Sequence, residues 1–184
     1  MVIETVDVDT AVHVLTRAFA DDPVARWLLP EERYGAWAAR VFGRVVQASA
    51  EHGKLAVTAG GTAVAVWLRR PADGQAVEEE PLPPELARLA TVQELTADRH
   101  PAGEPYLYLA FLGVVPGERG RGLGGDLLRH RLDRADAEDL PAYLEASSAR
   151  SRELYLRYGF RDAGDPIPLP DGPVVRPMRR NPRP

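Results

Sequence analysis

The sequence predicts a single α/β domain over residues 1–184, with a mixed central sheet flanked by helices, on three observations. Segments with apolar residues at helical spacing alternate with short β-like runs. One run, Tyr106-Leu107-Tyr108-Leu109-Ala110-Phe111-Leu112-Gly113-Val114-Val115, is long and apolar, as expected of a central strand buried on both faces. It leads into a turn with two arginines and close-set glycines, Arg119-Gly120-Arg121-Gly122-Leu123-Gly124-Gly125, and a helix pattern follows at once. At 184 residues and 45% hydrophobic content the chain suffices for one well-buried core, and two complete domains would be a squeeze.

In chain order, Val2, Ile3 and Val6 make a short β-like opening. Asp9 or Thr10 is placed to cap a helix with apolar positions Val12, Leu15, Ala18 and Phe19, which Asp21-Asp22-Pro23 ends. Trp27-Leu28-Leu29-Pro30 reads as a compact apolar turn. The next helix, over residues 32–51, carries Trp37, Val41, Val45 and Val46 on one side and stops at Gly53. Residues 54–58 and 62–68 read as an antiparallel hairpin across Ala59-Gly60-Gly61. Residues 70–84, rich in Pro, Gly and Glu, read as a mobile surface loop before a helix over 84–97 with Leu86, Leu89, Val92 and Leu95 at helical spacing.

Beyond the glycine turn, Leu123, Leu127, Leu128 and Leu132 share one helical face, which ends in the charged stretch 134–139. Ala142-Tyr143-Leu144-Glu145-Ala146 is a second strand, and the helical crossover makes it parallel to the first. A short helix over 151–158 stops at Gly159. Phe160 onward and Val174-Val175-Arg176-Pro177-Met178 supply two final strands separated by a Pro-rich turn, followed by a frayed tail.

Composition narrows the function. A net charge of -4 argues against broad nucleic-acid binding, which needs a basic footprint. Without cysteine there is neither a disulfide nor a cysteine nucleophile, and His13, His52, His100 and His130 show no zinc-motif spacing, so no metal is expected. The opening residues have no basic region followed by an apolar run, and no apolar stretch is long enough to span a bilayer; the expectation is a cytoplasmic protein with no membrane partner. Abundant Ala, Arg, Gly and Pro with scarce Lys points to a GC-rich bacterial genome.

Backbone N–H groups at a glycine-rich strand-to-helix turn, reinforced by the helix dipole, suit a phosphorylated ligand. Read literally, Gly120-x-Gly122-x-x-Gly125 satisfies the dinucleotide fingerprint, with Glu145 placed as a ribose-binding acid, so a nucleotide-binding oxidoreductase is one alternative. Against it, Pro116-Gly117-Glu118-Arg119 separates the strand from the first close-set glycine, and too little chain follows Glu145 to complete a doubly wound sheet. A P-loop fails because no Lys-Ser/Thr pair follows the glycines.

The pattern Val114-x-Pro116-x-x-Arg119-Gly120-x-Gly122-x-Gly124 resembles the acyl-CoA signature of the GNAT N-acetyltransferases, whose core is Arg/Gln-x-x-Gly-x-Gly/Ala. A second block, Leu144-Glu145-Ala146-Ser147 followed by Leu154-Tyr155-Leu156-Arg157-Tyr158-Gly159-Phe160, is similar to that family's next strand and helix end. The frame looks most like the puromycin N-acetyltransferase-like branch. The similar pieces are Ala18-Phe19-Ala20-Asp21-Asp22-Pro23, Ala63-Val64-Ala65-Val66-Trp67, His100-Pro101 and Pro170-Asp171-Gly172-Pro173.

The resemblance implies a GNAT fold and transfer of an acetyl group from acetyl-CoA to a primary amine. The acceptor is a small molecule or peptide, and the protein a monomer or homodimer. It also implies that the coenzyme A pyrophosphate rests on backbone N–H groups of Arg119, Gly120, Arg121, Gly122, Leu123, Gly124 and Gly125, while Leu112, Gly113 and Val114 pair with the pantetheine arm. Gly113 would there permit a bulge and a close ligand approach.

Tyr155 matches the family tyrosine that protonates the departing thiolate; the alternative is a helix tyrosine packed on the sheet. Tyr158 is read as a packing residue. Ser151 stands where the family often has Asn, and either contacts the arm or caps the helix. Glu145 is the candidate base for the amine, or a solvated or salt-bridged strand-end acid. Glu104 is a weaker substitute, and His100 is a base or a loop residue. Trp27, Trp37 and Trp67 are read as core, although Trp27 lies where the family's early loop edges the acceptor site. A non-catalytic acyl-CoA-binding sensor shares all of the donor features.

Overall fold

The structure, a computed structural model, describes residues 2–3, 7–29, 31–51, 55–58, 60–72 and 84–183. Its strands are β1 (Val2–Ile3), β2 (Leu55–Thr58), β3 (Ala63–Arg70), β4 (Tyr106–Val114), β5 (Ala142–Ala146), β6 (Arg161–Asp162), β7 (Ile167–Pro168) and β8 (Val174–Arg180). Among the described residues they run in the order β1-β2-β3-β4-β5-β8-β6, with β7 pairing on β8. Every pairing is antiparallel except β4 with β5. The helices are α1 (Val8–Ala18), α2 (Pro23–Leu28), α3 (Tyr34–Glu51), α4 (Ala87–Ala97), α5 (Leu123–Ala137) and α6 (Ala149–Arg157). None of them is long and apolar enough to cross a membrane.

The mixed sheet sits between two helical layers, as its alternating side chains require. On one face Val64 and Val66 of β3 meet Leu15 of α1 and Phe42 and Val46 of α3. On the other, Trp67 and Leu107 meet Leu127, Leu128 and Leu132 of α5 and Tyr155 of α6.

Several boundaries differ from the sequence reading for local reasons. The Asp7 carboxylate accepts the N–H groups of Asp9 and Thr10, so it caps α1, two residues before Asp9. The turn read at residues 27–30 is preceded by a true helix: Asp22 caps it through the N–H groups of Val24 and Ala25, and Pro23 supplies its pre-set φ. In α3 the buried stripe is Ala38, Phe42 and Val46, with Trp37, Val41 and Val45 on its flanks. Leu95, assigned to the apolar face of α4, is exposed. Helix α6 starts at Ala149 because Ser148 and Ser151 form a capping box. The tail is held through Arg183, whose N–H reaches Asp136 while the buried Arg180 makes two hydrogen bonds to the same carboxylate. Val6, Pro30, Gly53, Ala59 and residues 73–83 of the expected surface loop lie outside the described residues.

Two irregularities of β4 open the sheet. Phe111 pairs with Val66 and Leu109 with Trp67, so Ala110 is the extra residue of a β-bulge. The bulge puts Ala110 and Phe111 on the α1–α3 side together. Leu107 and Leu109 therefore face α5 before it, and Leu112 and Val114 after it. Second, β4 pairs with β5 only at Leu107–Ala142 and Tyr108–Tyr143. Both strands continue past these pairs, to Val114 and Ala146, so they part like a fork.

The expected bulge at Gly113 is thus corrected to Ala110. Gly113 is paired with Val64, and a Cβ there would lie 2.9 Å from Ala18 Cβ and 3.0 Å from Leu15 Cδ2. Its glycine lets α1 press against the strand. Nor is β4 buried throughout, since Tyr108 and Ala110 to Leu112 are half-buried where the sheet opens.

Candidate active site

A cleft of about 1650 Å³ runs from the glycine turn through the β4–β5 fork to a wall made by α2, α3 and α4. At the glycine end, Gly120 and Gly122 have φ of +83° and +84°, a left-handed backbone that side-chain-bearing residues resist. The carbonyl of Gly122 accepts from Asp126 N–H, which begins the backbone ladder of α5. The amides before it point out from the helix N-terminus, where an anion is favoured. Gly124 is close to Val114, Leu154 and Leu112, and Gly125 is covered by the Tyr158 hydroxyl. Tyr158 therefore packs, with Arg129 stacked over its ring.

The side chains of this turn are engaged with the protein itself. Arg119 donates to both oxygens of Asp21 (2.5 and 2.7 Å), to the Ala18 carbonyl (2.6 Å) and to the Val114 carbonyl (3.2 Å). Its hydrogen bonds hold the Asp21 carboxyl below the ordinary carboxylate range. Arg119 N–H is taken by the Pro116 carbonyl, and Arg121 is turned onto Glu118. Ser151 uses its hydroxyl in the capping box, accepting from Ser148 N–H and donating to the Ser148 carbonyl. What this end presents to a ligand is backbone.

Inside the fork the chemistry changes. Tyr155 of α6 lies against Phe160, and burial, with the nearby Asp22 charge, pushes its phenol well above its ordinary pKa. Such a phenol stays protonated and able to donate. Asp22 also accepts from Ser147 Oγ at 2.5 Å.

Opposite, Glu145 of β5 accepts the Tyr108 hydroxyl at 2.8 Å through Oε2, while its Oε1 is buried without a hydrogen-bond partner. His100 Nε2 lies 3.3 Å from that Oε1, and His100 Nδ1 lies 2.8 Å from the Tyr106 hydroxyl. The imidazole packs on the rings of Tyr143 (4.8 Å) and Tyr108 (5.1 Å). Burial raises the Glu145 carboxyl to about 7, partly opposed by the Tyr108 hydrogen bond. Burial, followed by the charge of Arg70, lowers His100 to about 4. A neutral imidazole thus faces a carboxyl that titrates near neutrality.

The fold therefore brings Leu112, Gly113, Val114, the glycine turn without Arg121, Ser151, Tyr155 and Glu145 to one cleft. Glu104 lies apart, paired with Arg179 at 2.6 Å. Trp67 is fully buried in the sheet core with one edge at the cleft wall, and Trp37 flanks α3. Trp27 anchors α2 by donating to the Pro170 carbonyl and lying under Arg88.

Sequence reasoning left His100 between base and loop residue, and the structure places it against Glu145. It singled out neither Tyr106 nor Tyr108. Their i, i+2 spacing, which puts both hydroxyls on one face of β4, was the available signal.

An open parallel strand pair, a glycine turn at one end and a titratable carboxyl at the other share one cleft. The acetyltransferase (GNAT) family model matches residues 25–160, and the chain belongs to that family. It is accordingly an acyltransferase, in a family whose members use acetyl-CoA as acyl donor, and the oxidoreductase reading is set aside.

Among solved structures, a Corynebacterium glutamicum protein described as histone acetyltransferase HPA2 and related acetyltransferase is 28% identical with a TM-score of 0.71, over 100% of this chain and 96% of that one. Arylalkylamine N-acetyltransferase 2 from Aedes aegypti shares the fold at 14% identity and a TM-score of 0.71, over 98% of each chain. A Drosophila melanogaster polyamine N-acetyltransferase that forms N-acetylagmatine does so at 17% and 0.67, over 98% of this chain and 100% of that one.

Proposed function

We propose that the protein transfers an acetyl group from acetyl-CoA to a primary amine by direct attack, with Glu145 as general base and Tyr155 as general acid. The observation that carries this reading is the single cleft lined by both the glycine turn and Glu145, whose Oε1 has no hydrogen-bond partner. The amides of residues 120–125 would hold the pyrophosphate. Arg119, its own N–H bonded to Pro116, keeps the turn in place by tying it to α1. The edge of β4 from Leu112 to Val114, which β5 leaves unpaired, would take the pantetheine arm as a further strand.

In the transfer, the amine nitrogen forms a bond to the acetyl carbon and the carbon–sulfur bond breaks. Glu145 accepts the proton lost by nitrogen, and Tyr155 gives one to the leaving sulfur.

The frame pieces shared with puromycin N-acetyltransferase support placing the chain in that branch, so puromycin belongs among the acceptors tried. The test is thiol release from acetyl-CoA with a panel of primary amines. Turnover that falls in both Glu145→Gln and Tyr155→Phe supports the reading. Tight coenzyme A binding without turnover of any amine would make the protein an acyl-CoA sensor instead.

A further inference from the structure

Arg70, at the end of β3, is a cleft arginine that lies on Tyr108, the hydrogen-bond partner of Glu145. Arg119, which also lines the cleft, is already paired with Asp21. Arg70 is half-buried in the cleft wall, with its guanidinium 5.6 Å from the Tyr108 ring centre, and has no hydrogen bond or ion pair among the described residues. Its charge is felt by His100, Tyr106, Tyr108 and Glu145 together. A half-buried guanidinium without an anion is unfavourable alone and forms strong bidentate contacts when a carboxylate arrives.

The same cleft holds few places for a second cation. Asp21 is taken by Arg119, Asp22 by the α2 cap and Ser147, and Glu118 by Arg121. Glu145 is the cleft carboxylate with an oxygen still unpartnered. Arg40 and Arg44 add positive charge on the α3 side, and Leu28, Val41, Val45, Leu89 and Val92 supply an apolar wall. A polyamine placed with one nitrogen at Glu145 would leave its other cation among these arginines, which Coulomb repulsion opposes.

We propose that the acceptor is an amino acid with an apolar side chain: its amine meets Glu145, its carboxylate meets Arg70, and its side chain lies on the wall formed by α2, α3 and α4. This rests on the reading of Glu145 as the amine's base. Arg70 and Glu145 both contact Tyr108, which puts an anion receptor and a base on one side chain's surroundings.

The test is thiol release from acetyl-CoA with matched pairs that differ by the carboxylate: L-phenylalanine with phenethylamine, L-tryptophan with tryptamine, and L-leucine with isoamylamine, with spermidine and puromycin alongside. Wild-type kcat/KM is expected to favour the amino acid of at least one pair by about tenfold or more, the size of a charge-assisted hydrogen bond. Arg70→Gln should erase that preference through KM, lowering kcat/KM for the amino acid about tenfold more than for its decarboxylated partner. A decarboxylated amine, puromycin or spermidine as the better acceptor, with no change in Arg70→Gln, overturns the proposal and leaves the acetyltransferase standing. If no amine turns over, calorimetry with N-acetyl-L-phenylalanine on the coenzyme A-bound protein decides. Binding lost in Arg70→Gln supports the anion receptor, and absence of binding to wild type rejects it.

Discussion

If the glycine turn holds the donor and Glu145 meets the acceptor, the two ends of the cleft recognise their ligands by opposite means. At the donor end the side chains are satisfied by the protein: Arg119 on Asp21, Arg121 on Glu118, Ser151 in its cap. The ligand is left with backbone amides shaped by two left-handed glycines. At the acceptor end it is the side chains that are unfinished: Glu145 Oε1 has no hydrogen-bond partner, and neither does the buried Tyr143 hydroxyl. Backbone recognition suits a donor that never changes, because it depends on local conformation alone. Side-chain recognition can be altered residue by residue while the fold is kept.

The contrast is broken most severely at Gly122. Gly122→Glu forces a side chain onto a φ of +84° and puts a negative charge beside the phosphate amides, so coenzyme A affinity should fall by about a hundredfold or more. Calorimetric titration reads this, and unchanged affinity would move the phosphates elsewhere. Glu145→Gln should leave coenzyme A affinity alone and lower turnover by about a hundredfold. In the wild type the rate should climb with pH through about 7 as Glu145 loses its proton, and the variant should lack that climb.

The same substitution gives a stability test with a definite sign. The folded carboxyl, raised from 4.5 to about 7, holds its proton more tightly than the unfolded one. Stability therefore falls as pH rises from 4.5 to about 7 and stays reduced above. By denaturant unfolding, Glu145→Gln should be the more stable protein above that window, by up to about 3 kcal/mol. Equal stability on both sides of it would contradict the buried acid.

Tyr155→Phe is the next smaller effect. Turnover should drop about tenfold to a hundredfold while coenzyme A affinity holds, and a variant as fast as wild type would return Tyr155 to packing alone. Arg119→Ala should be mildest. Because Asp21 is largely exposed, the loss in unfolding free energy should be about 1–2 kcal/mol, with coenzyme A affinity weakened severalfold. A large loss of affinity with full stability would give Arg119 a direct ligand contact.

The same division governs how much was legible in the sequence. Gly120 and Gly122 could be read because a left-handed turn has a residue requirement, and the strand and helix around them because their periodicity is local. The bulge could not, since Ala110 carries no signature of the extra residue it supplies. The fork likewise depends on where pairing stops. Gly113 invited a ligand-based reason, whereas its constraint comes from Ala18 and Leu15 of α1. Arg119 joins Asp21 across 98 positions and Tyr108 joins Glu145 across 37, so only the folded chain brings each pair together.

One passage through the fork is expected to connect the donor amides to the Glu145 carboxyl, and a crystal structure of the protein with acetyl-CoA reads it. The pyrophosphate is expected on the amides of residues 120–125, the pantetheine arm between β4 and β5, and the acetyl group between Tyr155 and Glu145. An arm that runs outside the fork, or an acetyl group turned away from Glu145, would contradict it.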